Sequence, residues 1–229
     1  MAWGAAIAPA WAGAILAGVP DSPDQPAAST ETSYDFGRKY TNARPLARRM
    51  LDKFFGAIGA CVGEVGGVGT ALEAACGEGF STQRLRAMLP AGATLHASDV
   101  ERRLVEAARR QNPAVPIAQE SIYRLARPDK AYDVVFALEV LEHLDDPAAA
   151  LRELCRVSRR WLILSVPREP LWRLINLAQL KYVGALGNTP GHIQHWGTRG
   201  FRRLVGRFAE VRAVHTPFRW TVVLAEVRR

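Results

Sequence analysis

The run Ala71-Leu-Glu-Ala-Ala-Cys-Gly-Glu-Gly-Phe80 puts a carboxylate, two glycines and a helix start within ten residues. An apolar stretch ends around Glu73, and Gly77 and Gly79 then permit a tight turn of the backbone. A carboxylate beside a glycine loop that opens a helix suits a nucleoside-type cofactor. The acid can take ribose hydroxyls, and the missing side chains let the backbone approach the ligand. A second apolar run ends in an acid at Asp99, 26 residues after Glu73, and a third begins with Asp133 and ends at Glu139.

These groups need elements to hold them. Pro45 to Ile58 reads as an amphipathic helix with Leu46, Met50, Phe54 and Ile58 on one face, followed by a loop from Gly63 to Gly69. Thr70–Ala75 reads as a strand, and the helix after the glycines carries Leu85, Met88 and Leu89. Thr94–Ser98 is a second strand, then comes a helix through Leu104, Val105 and Ala108, and Pro116–Gln119 is a short third strand. Tyr132–Leu138 and Trp161–Val166 are solidly apolar strands. Between them Asp146 and Pro147 start a helix as N-cap and first-turn residue, with Leu151, Leu154 and Cys155 on one face. Alternating helices and near-continuous apolar strands imply a parallel sheet covered on both faces. Later, Thr198 caps a helix carrying Phe201, Leu204, Val205 and Phe208. Val211–His215 and Trp220–Val227 then follow at hairpin spacing, so the sheet should finish in an antiparallel pair.

Composition fits one α/β domain, with 48% apolar and 23% charged residues in 229. Cys61, Cys76 and Cys155 have neither paired nor metal-ligand spacing, which points to buried, reduced thiols and a cytoplasmic protein. Net charge is +8, yet residues 151–229 alone carry 15 Lys/Arg against 4 Asp/Glu. That excess could meet an anionic substrate, or be no more than arginine on solvated faces. Nothing interleaves basic with aromatic residues as a nucleic-acid motif would. Residues 2–19 are nearly all Ala, Gly and larger apolars, without preceding Lys or Arg, so a signal peptide's n-region is missing and no membrane span is expected. Residues 1–33 are read as a flexible extension, and 34–229 as the domain.

The acidic residue and the following Gly-x-Gly within Glu73 through Gly79, together with Asp99, resemble the class I S-adenosylmethionine-dependent methyltransferases, above all their small single-domain bacterial members. The resemblance covers residues 34–229. It implies a Rossmann-like α/β fold: a mostly parallel seven-stranded sheet, an antiparallel C-terminal hairpin and helices on both faces. It implies S-adenosyl-L-methionine as cofactor, held by Glu73, Ala75, Gly77, Gly79, Asp99, Val100, Ser121, Ile122, Leu138 and Glu139. Asp99 would take the ribose hydroxyls. Ala75 stands where the family often has glycine, and Ser121 where it often has an acid beside the adenine amine, with Glu120 as a substitute. Ile122 and Tyr123 would flank the ring. Tyr40 and Asn42, in a segment that often lids such sites, are further candidate contacts. A dinucleotide-binding dehydrogenase is disfavoured because no third glycine follows Gly79 at the required place, and the loop lacks the Gly-Lys-Ser/Thr of a P-loop.

Glu139-Val-Leu-Glu142-His143 resembles the Glu-x-x-Glu-His motif of metal-assisted O-methyltransferases, some of which act on small-RNA 3′ ends and complete the site with a later histidine. That resemblance implies a divalent cation, Mg²⁺ or another, on Glu139, Glu142, His143 and His192. The plainer reading has the glutamates capping the next helix and His143 lining a pocket. His143, His192 or His195 would then be the general base, since imidazole titrates near neutrality. His96 and His215, inside strands, read as structural. Pro167 to Asn176 lies where the family builds its acceptor pocket, and Arg168, Trp172 and Arg173 would meet an anionic or aromatic small molecule. The reading is therefore O-methylation of a small-molecule hydroxyl. The alternatives are RNA 2′-O-methylation and a degenerate cofactor-binding regulatory module.

Overall fold

The computed structural model describes residues 45–178, 183–186, 188–189 and 191–228. The extension at 1–33 and the contacts expected of Tyr40 and Asn42 lie outside them. The elements are α1 (Pro45–Val65), β1 (Thr70–Ala74), α2 (Phe80–Met88), β2 (Thr94–Asp99), α3 (Arg102–Gln111), β3 (Ile117–Gln119), β4 (Tyr132–Leu138), α4 (Pro147–Val157), β5 (Ser158–Pro167), α5 (Leu171–Ala178), α6 (Thr198–Val205), β6 (Ala209–His215) and β7 (Trp220–Val227). Short 3₁₀ turns occupy Leu141–His143 and Val183–Ala185. No described helix is long and apolar enough to cross a membrane.

The seven strands run in the order β3-β2-β1-β4-β5-β7-β6. The first five are parallel, and β7 lies antiparallel between β5 and β6. β4 and β5 are buried along almost their whole length, as strands covered on both faces must be. The order reverses between β1 and β4, and such a switch point opens a crevice at the carboxyl ends of the strands. The glycine loop after β1 and Glu139 after β4 therefore stand on its two sides.

Asp133 fixes the opposite end. Its Oδ2 accepts from Gly69 N and Thr70 N, each at 2.9 Å, and Arg159 pairs with Oδ1, so the starts of β1 and β4 are tied together. Asp146 caps α4 as expected, accepting from Ala149 N at 2.9 Å with Pro147 in the first turn.

Boundaries differ from the sequence reading, most of all at α1, β5 and α6. α1 runs on to Val65 because Cys61 and Val62 are also buried, which shortens the expected loop to residues 66–69. β5 begins at Ser158, directly after α4. α6 is capped by Gly197 with no side-chain bond; Thr198 instead shares a 3.1 Å hydroxyl contact with Thr221, and Phe208 falls beyond the helix.

Candidate functional site

The glycine loop turns through three left-handed residues, Ala75 at φ 59°, Gly77 at 57° and Gly79 at 86°. Gly79 cannot be anything larger. A Cβ there would lie 2.4 Å from Asn112 Nδ2 and 3.0 Å from the Ala108 backbone, so α3 is packed directly against the loop. Asn112 also donates to Gly79 O at 3.0 Å. Ala75 has a Cβ and pays for its left-handed φ. Ala75→Gly is expected to raise stability by about 0.5–1 kcal/mol, measured as a higher denaturant midpoint at unchanged slope. A lower midpoint would mean that the methyl group packs usefully.

Glu73 is 1% exposed, and its Oε2 accepts from the Thr82 hydroxyl at 2.5 Å. Burial pushes its carboxyl up to about 7, against the hydrogen bonds of Ser81 and Thr82. The carboxylate therefore braces the start of α2 from beneath and does not reach out toward a ribose, as the spacing had suggested. Asp99 does face the loop. Its Oδ2 accepts from Gly77 N at 2.8 Å and its Oδ1 from Glu101 N at 3.0 Å. Burial raises its carboxyl above the ordinary range, opposed by those two backbone N–H groups. Val100 follows and is about half exposed.

After β3 the chain turns through Ser121, Ile122 and Tyr123. Ser121 is partly exposed, with its Oγ 3.3 Å from Tyr123 N, and Ile122 is buried. Glu120 cannot stand in for a missing adenine acid, because it points inward. Its Oε2 accepts from Arg127 Nε at 3.1 Å, with the two side chains 3% and 2% exposed. Arg127 also donates to the Tyr132 hydroxyl, which lies 2.8 Å from His96 Nδ1. Burial and the Arg127 charge press His96 down to about 4, so it is a neutral core histidine, as expected. His215, in β6, lies 3.8 Å from Glu64 and takes no part in the crevice.

Leu138 is nearly buried at the end of β4. Glu139 then adopts φ 56°, a conformation that a non-glycine residue holds only when its surroundings impose it. Its N–H donates to Ser165 O, its Oε1 accepts from Ser165 Oγ at 3.2 Å, and its Oε2 accepts from Trp220 Nε1 at 2.7 Å. The ends of β4, β5 and β7 thus converge on one carboxylate.

The four expected metal ligands do not all come together. Glu142, His143 and His192 each offer a ligand atom within 4.8 Å of the others, whereas Glu139 stands apart, turned toward Ser165 and Trp220. The trio is well built. Ile193 N and Gln194 N both donate to Glu142 O at 3.0 Å, which straps the 191–195 segment across the 3₁₀ turn. His143 Nδ1 lies 2.8 Å from Gly191 O, so the ring donates there and Nε2 is its basic nitrogen, 4.0 Å from Glu142 Oε1. The His143 and His192 rings meet edge-on with centroids 4.9 Å apart. Trp172, buried against His192, donates from Nε1 to Thr189 Oγ1 at 2.9 Å. Two imidazoles and one carboxylate fit a divalent cation, and suit a borderline transition ion better than Mg²⁺.

His195 is elsewhere, exposed, with Nε2 on Asn188 Oδ1 at 2.7 Å. Arg173 donates to Leu186 O and so braces the segment after α5. Sequence reasoning missed Trp220 and Ser165 as partners of Glu139. Trp220 is 81 residues away and no local pattern joins the two. Asn112 was missed as well, since a polar residue after a helix carries no mark of what it supports.

Residues 72–161 match the methyltransferase domain family. A probable S-adenosylmethionine-dependent methyltransferase of Mycobacterium tuberculosis is 35% identical over 100 residues, which is 43% of this chain and 35% of that protein. The match thus spans about a third of the curated relative's length. Among solved structures, an S-adenosylmethionine-dependent methyltransferase from Aquifex aeolicus superposes with TM-score 0.64 at 17% identity, covering 84% of this chain and 98% of that one. The magnesium protoporphyrin IX methyltransferase of Synechocystis PCC 6803, solved with S-adenosylhomocysteine, gives 0.60 at 20% identity over 84% and 92%. At those identities the likeness is one of fold.

Proposed function

We propose that this chain, whose residues 72–161 match the methyltransferase domain family, is a class I S-adenosylmethionine-dependent methyltransferase that transfers the cofactor's methyl group to a hydroxyl of a small-molecule acceptor. The observation that carries this reading is the imidazole pair His143 and His192 with Glu142, strapped together just beyond the end of β4.

Methyl transfer is an in-line displacement at a sulfonium carbon, so the cofactor supplies the electrophile and the protein supplies position and proton removal. We assign the cofactor to the crevice between the glycine loop and the end of β4, with Asp99 taking the ribose diol and Ser121 and Ile122 beside the adenine. Asp99 now accepts from Gly77 N and Glu101 N. These bonds aim a carboxylate at the loop's mouth, and a carboxylate has lone pairs for further donors. Glu73 and Asn112 serve by holding the loop, the first through Thr82 and the second through Gly79 O. On the acceptor side His143 is the general base. Its Nδ1 donates to Gly191 O, which leaves Nε2 as the nitrogen that takes the hydroxyl proton. Glu142, 3% exposed beside it, steadies the imidazolium that results. In place of that proton transfer, a divalent cation would be held by Glu142, His143 and His192, because it would occupy His143 Nε2, and it would supply Lewis acidity that lowers the hydroxyl's pKa.

The test is calorimetric titration with S-adenosylmethionine, with Mg²⁺, with Zn²⁺ and with chelator, followed by an acceptor screen that reads S-adenosylhomocysteine. Micromolar binding is expected. Asp99→Ala should weaken it about 10- to 150-fold, the worth of charge-assisted hydrogen bonds. Absence of binding under every condition would refute the cofactor reading. Binding without turnover of any hydroxyl acceptor would favour the regulatory module.

A further inference from the structure

Glu169 stands between β5 and α5, with its backbone N–H donating to Trp196 O at 3.0 Å. The segment leaving β5 is thereby stitched to the one that enters α6. Of the two carboxylate oxygens, Oε2 accepts from Arg173 N at 3.4 Å. Oε1 is buried and has no hydrogen-bond partner among the described residues.

Three other buried carboxylates are better provided for. The buried carboxylates of Glu73, Asp99 and Glu120 are each met by donors, from Thr82, from Gly77 and Glu101, and from Arg127. An acceptor atom closed off from water without a donor costs stability, and in a native protein it calls for an explanation. Burial raises the Glu169 carboxyl, opposed by Arg173 N–H and by the charges of His195 and Arg173.

Its segment leads into the proposed acceptor side. Trp172, three residues on, faces His192 with centroids 6.0 Å apart. His195, on the same stitched segment as Trp196, is held by Asn188 at 2.7 Å. We propose that Glu169 is an acceptor-recognition residue whose Oε1 takes a hydrogen bond from a second donor on the acceptor, a hydroxyl or amine other than the group that is methylated. The proposal rests on the acceptor-side reading given above. It narrows the substrate class to compounds with at least two donors, because a single-donor analogue leaves the buried oxygen unmet.

The test uses the full chain with saturating S-adenosylmethionine and matched probes: catechol, resorcinol and 2-aminophenol, each against phenol. Wild type should bind at least one two-donor probe about tenfold or more tightly than phenol. Glu169→Leu should reduce that preference to within about twofold while cofactor affinity holds. In the absence of any ligand, Glu169→Leu or Glu169→Gln should unfold at a denaturant midpoint no lower than wild type, since an oxygen kept for a ligand does not stabilise the fold. Lower midpoints in both variants would show a structural carboxylate and overturn the proposal. So would a donor preference that survives in Glu169→Leu, or a wild type that binds cofactor but shows no preference. A wild type that binds no cofactor would overturn the functional reading itself.

Discussion

His143→Ala is expected to lower kcat by about 10²–10⁴-fold, the usual worth of a positioned general base, while the affinity for S-adenosylmethionine stays within about twofold. In the proposed assignment the ring serves the acceptor side. Its Nδ1 is committed to Gly191 O, and Nε2 faces Glu142 across the strapped 3₁₀ turn. Removing the imidazole leaves the crevice between β1 and β4 intact, because neither the glycine loop nor Asp99 leans on it. The check is single-turnover formation of S-adenosylhomocysteine across pH on an acceptor found by the screen. The acid limb of the wild-type profile should vanish in the variant. If kcat falls less than about fivefold, His143 is not the base, and the proximity of the bound hydroxyl carries the reaction. His192→Ala should have a smaller effect, since that ring packs edge-on against the proposed base His143.

Arg127→Met is expected to destabilise the protein by about 3–5 kcal/mol, the cost of leaving one member of a buried ion pair alone. Glu120 would remain 3% exposed with its donor gone, and the Tyr132 hydroxyl beside His96 would lose a bond as well. The double variant Arg127→Met with Glu120→Leu should recover most of the loss, because an apolar pair of similar volume needs no desolvation of charge. Denaturant unfolding of the two variants measures both effects. A single-variant loss under about 1 kcal/mol would mean that water reaches Glu120. The pair also anchors the chain just before Ser121 to Tyr123, so cofactor affinity should weaken in the single variant and return in the double.

The strands themselves, the glycine loop and the acid at the end of β2 were legible because each rests on local pattern. Continuous apolar runs mark strands buried on both faces, and Gly77 and Gly79 mark left-handed turns. Direction was harder to read than position. Glu73 and Glu120 look like ligand-facing acids at strand ends, yet one turns under α2 and the other into the core. A strand's last residue points by the pleat, but the loop beyond it can turn either way, and nothing nearby in sequence records which. The same holds for Glu139. Its spacing to Glu142 fits a shared ligand set, whereas its conformation is set by Trp220 and Ser165, partners brought by the sheet. The trio Glu142, His143 and His192 came together because two short segments are joined by backbone bonds, which residue types do not encode.

The place of β7 bears on how the protein is made. It pairs on one side with β5 and on the other with β6, both of which are translated before it. At about 5–20 residues per second, a ribosome needs about 3–12 s to pass from Pro167 to Val227. For that time β5 presents an open edge, and β6, made late in the interval, has no neighbour until β7 follows it. The five parallel strands and the glycine loop can assemble on the nascent chain meanwhile. The clamp of Trp220 on Glu139 cannot, so the half that holds the cofactor can be complete while the half that faces the acceptor is still being synthesised.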